Sequence, residues 1–131
     1  MDNRKFIADV SAFADKTIDQ MLRVAKQSIQ DVVKQAQTPV AKGGDMPVLS
    51  GHLRNSLVTE LRGATVGEGG DSYVLGLSSL ELGDPFSVAW VADYAVARHY
   101  MVGVGQGGGL WRDRAAQRWS GYVEKNARLV Q

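Results

Sequence analysis

The sequence predicts an α+β fold: a long N-terminal helix, a small antiparallel sheet of three to four strands, and a C-terminal helix packed on that sheet. Three observations predict it. Residues 2–37 contain neither glycine nor proline, and their apolar residues recur at helical spacing. From residue 57 to residue 90 the apolar period shortens to two. Behind a glycine run at 103–109 the helical spacing returns.

Over 2–37 one apolar stripe comprises Phe6, Val10, Phe13, Met21, Ala25, Val32 and Ala36, flanked by Ile7, Ala14, Ile18, Leu22, Ile29 and Val33. Asp2 or Asn3 suits the N-cap, and Thr38-Pro39 stops the helix. A continuous helix would be about 54 Å long at 1.5 Å per residue. A domain of this size has a radius of gyration of about 14 Å, so one end is expected to overhang the core. An overhanging apolar stripe calls for a partner, most simply a second copy of the chain. The stripe thins between Asp15 and Thr17, and a break there would give two shorter helices on one core.

Residues 39–50 form a loop punctuated by two prolines and Gly43-Gly44, and a short helical turn is expected from Gly51 to Ser56. Alternation then marks three half-buried strands, at Leu57–Leu61, Tyr73–Leu77 and Phe86–Trp90. The connection at 62–72 is long and glycine-rich and is expected to project as a mobile loop, whereas Gly83-Asp84-Pro85 fixes a turn. Residues 93–101 suit either a helical turn or a fourth strand. The last helix is placed at 110–129, with Ala115, Trp119, Tyr122 or Val123, and Ala127 facing inward. All of 1–131 is read as a single domain, with the sheet region at 51–101.

The composition, 44% apolar and 22% charged with a formal net charge of +1, is that of a soluble globular protein. Such a balance gives no general pull toward nucleic acid or an anionic membrane. With no cysteine there are no disulfides, thiolate zinc sites or cysteine nucleophiles. Apolar runs fall short of the roughly 20 residues that span a bilayer. The charged N-terminus does not read as a signal-peptide core. The expectation is an intracellular product, or a component of a particle assembled inside a cell.

The glycine run satisfies G-x-G-x-x-G through Gly103, Gly105 and Gly108. In a dinucleotide site that spacing lies at a strand-to-helix turn that opens a βαβ unit, so a pyrophosphate rests on the helix N-terminus. Only 22 residues follow Gly109, too few for a parallel sheet, and no Gly-Lys-Ser/Thr completes a P-loop. Other chemistry is equally sparse. His52 and His99 have no H-x-x-x-H partner, and no G-x-S-x-G elbow is present. Glu60, Glu68, Glu81 and Asp84 are scattered over strand ends and turns. No catalytic, cofactor or metal site is assigned. The rival reading is a small ligand-binding or hydrolytic domain using Asp93, His99 and the glycine-rich loop.

Residues 46–57, MPVLSGHLRNSL, carry a proline-valine, hydroxyl-glycine, leucine-arginine-x-serine pattern at Pro47, Val48, Gly51, Leu53, Arg54 and Ser56. Farther on come Tyr94-Ala95, His99-Tyr100, the glycine run, Ala115-Ala116 and Trp119. In this order the motifs resemble a neck and tail-completion (head–tail connector) morphogenesis family of long-tailed bacteriophages, in which a long N-terminal helix also precedes the signature. Ser50 stands where that family usually has threonine, Leu49 where an aspartate is common, and Met101 where a glycine usually follows the aromatic.

The resemblance implies a non-enzymatic virion protein assembled in the bacterial cytoplasm. Its subunits would form a homo-oligomeric ring at the head-to-tail junction, between head-closure or portal-side proteins and the tail. DNA would pass through the channel without sequence-specific binding, and no membrane is involved. Gly103, Gly105, Gly107, Gly108 and Gly109 would then form a flexible docking loop, and Arg54 could pair with a carboxylate of a neighbouring subunit.

Overall fold

The computed structural model describes residues 5–7, 17–47, 51–103 and 107–130, and these form a mixed α+β fold. Four strands, β1 (Lys5–Ile7), β2 (Leu57–Leu61), β3 (Ala64–Glu68) and β4 (Phe86–Trp90), make an antiparallel sheet in the order β1-β4-β2-β3. Leu57, Thr59 and Leu61 of β2 lie directly opposite Trp90, Val88 and Phe86 of β4, and all six are buried. This paired row is the sheet's contribution to the core.

The first helix, α1 (Ile18–Ala36), starts at a capping box. The Thr17 hydroxyl accepts the Gln20 backbone N–H, and the Gln20 side chain accepts the Thr17 backbone N–H. Asp19 in the first turn and Lys34 in the last complement the helix dipole. At 19 residues α1 is about 28 Å long. The continuous helix expected over 2–37 is therefore not formed, because Lys5–Ile7 is a strand paired with β4; the alternative of two shorter helices turns on residues 8–16, which lie outside the described residues. Helical spacing misled there because Phe6 is apolar for a different reason: it inserts against Trp119, with ring centroids 5.9 Å apart. The apolar face of α1 from Val24 to Ala36 is buried, while Ile18 at its start is 68% exposed.

Tyr73–Leu77 is likewise a helix, α3 (Ser72–Ser78), not a strand. Its buried residues are Tyr73, Gly76 and Leu77, a helical spacing that the alternation of Tyr73, Leu75 and Leu77 disguised. Leu75 is 62% exposed. A Cβ on Gly76 would come within 2.8 Å of Thr59 Cγ2 and 3.0 Å of the Phe86 ring, so glycine is what lets α3 lie this close to the sheet. Nor is 62–72 a projecting loop. Arg62 and Gly63, both with positive φ, form a two-residue hairpin turn, and β3 returns along β2 to Glu68.

The helical turn expected at 51–56 is α2 (His52–Asn55), and 93–101 holds a helix, α4 (Ala95–His99), rather than a fourth strand. The C-terminal helix is two: α5 (Trp111–Ala116) and α6 (Trp119–Leu129). They are separated by a tightened turn in which Arg118 N–H donates to Ala115 O. Ala115 is buried, and Trp119, Tyr122, Val123 and Ala127 are half-buried against the core, as expected. Asn126 is also buried, donating to Ser28 Oγ at 3.1 Å and to Asp31 Oδ2 at 2.9 Å, which locks α6 onto α1.

Candidate docking surface

The glycine run seats on the 40–46 turn, which leads directly into the signature segment. Gly51, in the left-handed region at φ +77°, precedes α2. Within α2, Leu53 is buried, and the Ser56 hydroxyl donates to Leu53 O at 2.7 Å. Arg54 pairs with Asp71 of the same chain at 2.7 Å, which supplies the carboxylate expected from a neighbouring subunit. Gly70 next to it is buried, and a Cβ there would lie 2.2 Å from Arg54 Nη1. Pro47 is buried, while Val48 and Gly105 lie outside the described residues.

At the glycine run the backbone is pinned rather than loose. Gly103 N–H donates to Gly108 O at 3.0 Å, Gly109 N–H to Asp45 O at 2.7 Å, and Leu110 N–H to His99 O at 2.7 Å. The Arg98 guanidinium donates to the carbonyls of Met101 and Gly107. Asp45, directly before Met46-Pro47, also receives Arg114 at 2.6 Å. Gly108 has φ +83°, and a Cβ on it would sit 2.5 Å from Asp45 O and 2.8 Å from Val40 Cγ2. Only glycine permits this seating on the 40–46 turn. The expected flexible joint is thus, in its described part, a closed one.

The nucleotide reading loses its remaining support, because the run follows a helix, α4, and not a strand. Asp93 and His99 are not brought together either. Asp93 is exposed and lines a surface recess of about 410 Å³ with His52, Ser56 and Tyr94, whereas His99 is fully buried. Among the described residues no group of three or more histidine and acidic side chains is placed to hold a metal.

His99 belongs instead to a buried aromatic column. Its ring meets Tyr100 at 4.9 Å and Trp111 at 4.8 Å, edge to face in both cases. Trp111 meets Trp90 at 6.3 Å, and Trp90 Nε1–H donates to Gln37 Oε1 at 3.2 Å. Gln37 Nε2–H in turn donates to Gly70 O at 2.8 Å, beside Arg54. Gln37, at the C-cap of α1, therefore ties the column to the signature turn. Burial pushes the His99 imidazole below its ordinary pKa; the Asp113 carboxylate opposes this and Arg112 adds to it.

Where the column reaches the surface it ends in exposed apolar side chains: Val96 one turn before Tyr100, then Tyr100, Met101 and Val102. Val102 and Val40 flank the seated end of the run: a Cβ on Gly109 would lie 3.1 Å from Val102 Cα, and one on Gly108 2.8 Å from Val40 Cγ2. Tyr94 is half-buried and rests against His52, Ala95 is buried, and Trp119 packs on Phe6. Sequence reasoning placed the loop but missed its apolar rim, Asp45 and Gln37. The run Tyr100-Met101-Val102 directly before the glycines was the available signal. Chemically, the surface offers apolar contact and backbone hydrogen-bonding groups, with no described nucleophile or paired acid.

Among the described residues no helix is long and apolar enough to cross a membrane. Family models, curated proteins and solved structures yield no match to this chain.

Proposed function

We propose that the chain is a structural virion protein of a tailed bacteriophage, a neck or tail-completion subunit that forms a ring at the head-to-tail junction around the DNA channel. It acts by docking and carries no catalytic role. The observation that supports this best is the apolar rim of Val40, Val96, Tyr100, Met101 and Val102 around a glycine run seated by specific hydrogen bonds. A rim of this type buries readily against another protein, and the pinned run presents it without a large ordering cost on docking. The resemblance of the signature at 46–57, and of the motifs from Tyr94 to Trp119, gives the partner class: further copies of the chain, head-closure or portal-side proteins, and tail proteins. The separation of exposed Asp93 from buried His99 weighs against the hydrolytic alternative.

The test is light scattering and negative-stain imaging at high concentration, alone and with portal and head-closure proteins. Rings or stoichiometric complexes are expected, and Tyr100→Asp with Met101→Asp should abolish them while leaving the monomer folded. Monomers alone in every mixture overturn the reading.

A further inference from the structure

His99 is built into the protein as if it were a hydrocarbon ring. It is fully buried, and among the described residues neither Nδ1 nor Nε2 has a hydrogen-bond partner. Trp111 Nε1 beside it has none among them either. Native proteins rarely leave buried polar nitrogens unpaired, so each such group calls for an explanation. Packing alone does not give one, because phenylalanine would fill the same place between Tyr100 and Trp111 without the two orphan nitrogens. What sets histidine apart from phenylalanine here is its ability to take up a proton near neutral pH. Its position matters as well: the His99 carbonyl receives the Leu110 N–H that closes the run.

The charged groups around the ring do not overcome its burial: the Asp113 carboxylate favours the imidazolium and Arg112 disfavours it, and the net direction of its pKa stays downward. On α5, Asp113 is paired with Arg112, so its pull on a proton is largely offset. On α4, the Arg98 guanidinium is engaged by the Met101 and Gly107 carbonyls. From the 40–46 turn, the Asp45 carboxylate is engaged by Arg114. A protonated ring would place a cation and two N–H donors where no acceptor waits.

We propose that His99 is a proton-operated latch: neutral, it holds Gly107–Leu110 against the 40–46 turn, and protonated, it leaves its aromatic site and releases them. The latch is a property of the single chain and stands whether or not the chain assembles into a ring. Its sign follows from linkage. Burial favours the neutral ring in the closed state, so closure is complete above the ordinary histidine pKa of about 6.5. As pH falls below that value, the open-to-closed ratio rises by up to about tenfold per pH unit, until the depressed value of the closed state is reached.

The chain has two histidines, so in His52→Gln the His99 imidazole is alone. Amide hydrogen exchange of that variant is followed from about pH 7.5 to about pH 5, corrected for the intrinsic chemical rate. Protection of Gly109 and Leu110 should fall about tenfold or more across this range, while that of Val88 in β4 holds. Adding His99→Phe should leave the run closed throughout, with protection constant within about twofold. Parallel loss of protection in the Phe variant, or constant protection in His52→Gln alone, overturns the latch. Should the Phe variant fail to fold, the His99 ring protons in His52→Gln decide by NMR titration. A midpoint below about 6.5 supports the latch, and one at or above it sinks the proposal.

Discussion

Replacing Gln37 tests whether the column and the signature turn share one support. Gln37 is buried, and its amide makes two hydrogen bonds, accepting from Trp90 Nε1 and donating to Gly70 O. Gln37→Met keeps the length and the apolar contact but removes both bonds. Two buried groups are then left unpaired, each at about 1 to 3 kcal/mol, so the loss is about 2 to 6 kcal/mol. Against a total stability of about 5 to 15 kcal/mol this is a large fraction. With an m-value of about 2 kcal/mol/M, the urea midpoint should drop by about 1 to 3 M. Gln35→Met, two residues away and only partly buried, serves as control and should cost within about 0.5 kcal/mol. Gln37→Glu sharpens the assignment. A carboxylate still accepts from Trp90 but faces the Gly70 carbonyl with no donor, and acidification restores an O–H donor. Its deficit relative to wild type should therefore shrink as pH falls through the raised pKa of that carboxyl. Equal midpoints for Gln37→Met and Gln35→Met would refute the argument.

Two helical glycines should respond to alanine with opposite signs. Gly76→Ala places a Cβ 2.8 Å from Thr59 Cγ2 and should destabilise by about 1 to 3 kcal/mol from overpacking, outweighing alanine's better propensity. At Gly121 a Cβ meets nothing within 4 Å, and alanine should stabilise by about 0.5 to 1 kcal/mol, both read by chemical denaturation. Gly108→Ala must lift the run off Asp45 O, so hydrogen exchange at Gly109 should accelerate while β4 amides keep their protection. Gly107→Ala, whose nearest neighbour is Val40 at 3.8 Å, should have the smaller effect, and equal effects would discredit the seating. Burial acts to raise the Asp31 pKa, but hydrogen bonds from Asn126, Gln27 and Lys125, with the Lys125 charge, hold it below its ordinary value. That stabilisation is present above the ordinary carboxylate pKa of about 3.9 and is lost as pH falls through the lower folded value. Asp31→Asn should consequently show a shallower acid limb in urea midpoints between about pH 5 and pH 2.

The legible parts of this fold were those in which one period and one set of stop signals agree. Over 18–36 the apolar spacing and the Thr38-Pro39 stop describe the observed helix, although the sequence suggests a start at Asp2 or Asn3 and not at the Thr17 capping box, and the apolar residues of β2 and β4 alternate between turns. Short segments were not legible, for a physical reason. Three residues such as Lys5–Ile7 carry no period, and seven such as Ser72–Ser78 fit two. Their state is decided by tertiary neighbours: Val88 opposite Phe6, and Thr59 and Phe86 beneath Gly76. At the candidate site, the signature and glycine positions could be read off the chain. Their linkage could not, because it depends on Gln37 and Asp45, polar residues whose partners lie 33 to 69 positions away.

That distribution bears on how the proposed docking surface keeps its shape. A glycine run left to itself samples many conformations, and ordering it on docking would cost roughly 1 to 2 kcal/mol per residue of backbone entropy. Here the folding reaction has already met part of that cost, since the ends of the run are held by Asp45, His99 and Arg98. Those holders are themselves fixed by buried packing: Met46 beside Asp45, and His99 by Trp111, which rests on Trp90 and so on Gln37. The exposed rim at Tyr100–Val102 is thus one end of a continuous chain of contacts that reaches the C-cap of α1 and, through Gly70, the turn that carries Arg54. Such a chain transmits displacement poorly through a fluid interior but well through a close-packed one, where side chains have few alternative positions. Loss of packing at His99 or Trp111 should therefore reach the run before it reaches the β2–β4 ladder. The ladder rests on its own paired row of Leu57, Thr59 and Leu61 against Trp90, Val88 and Phe86.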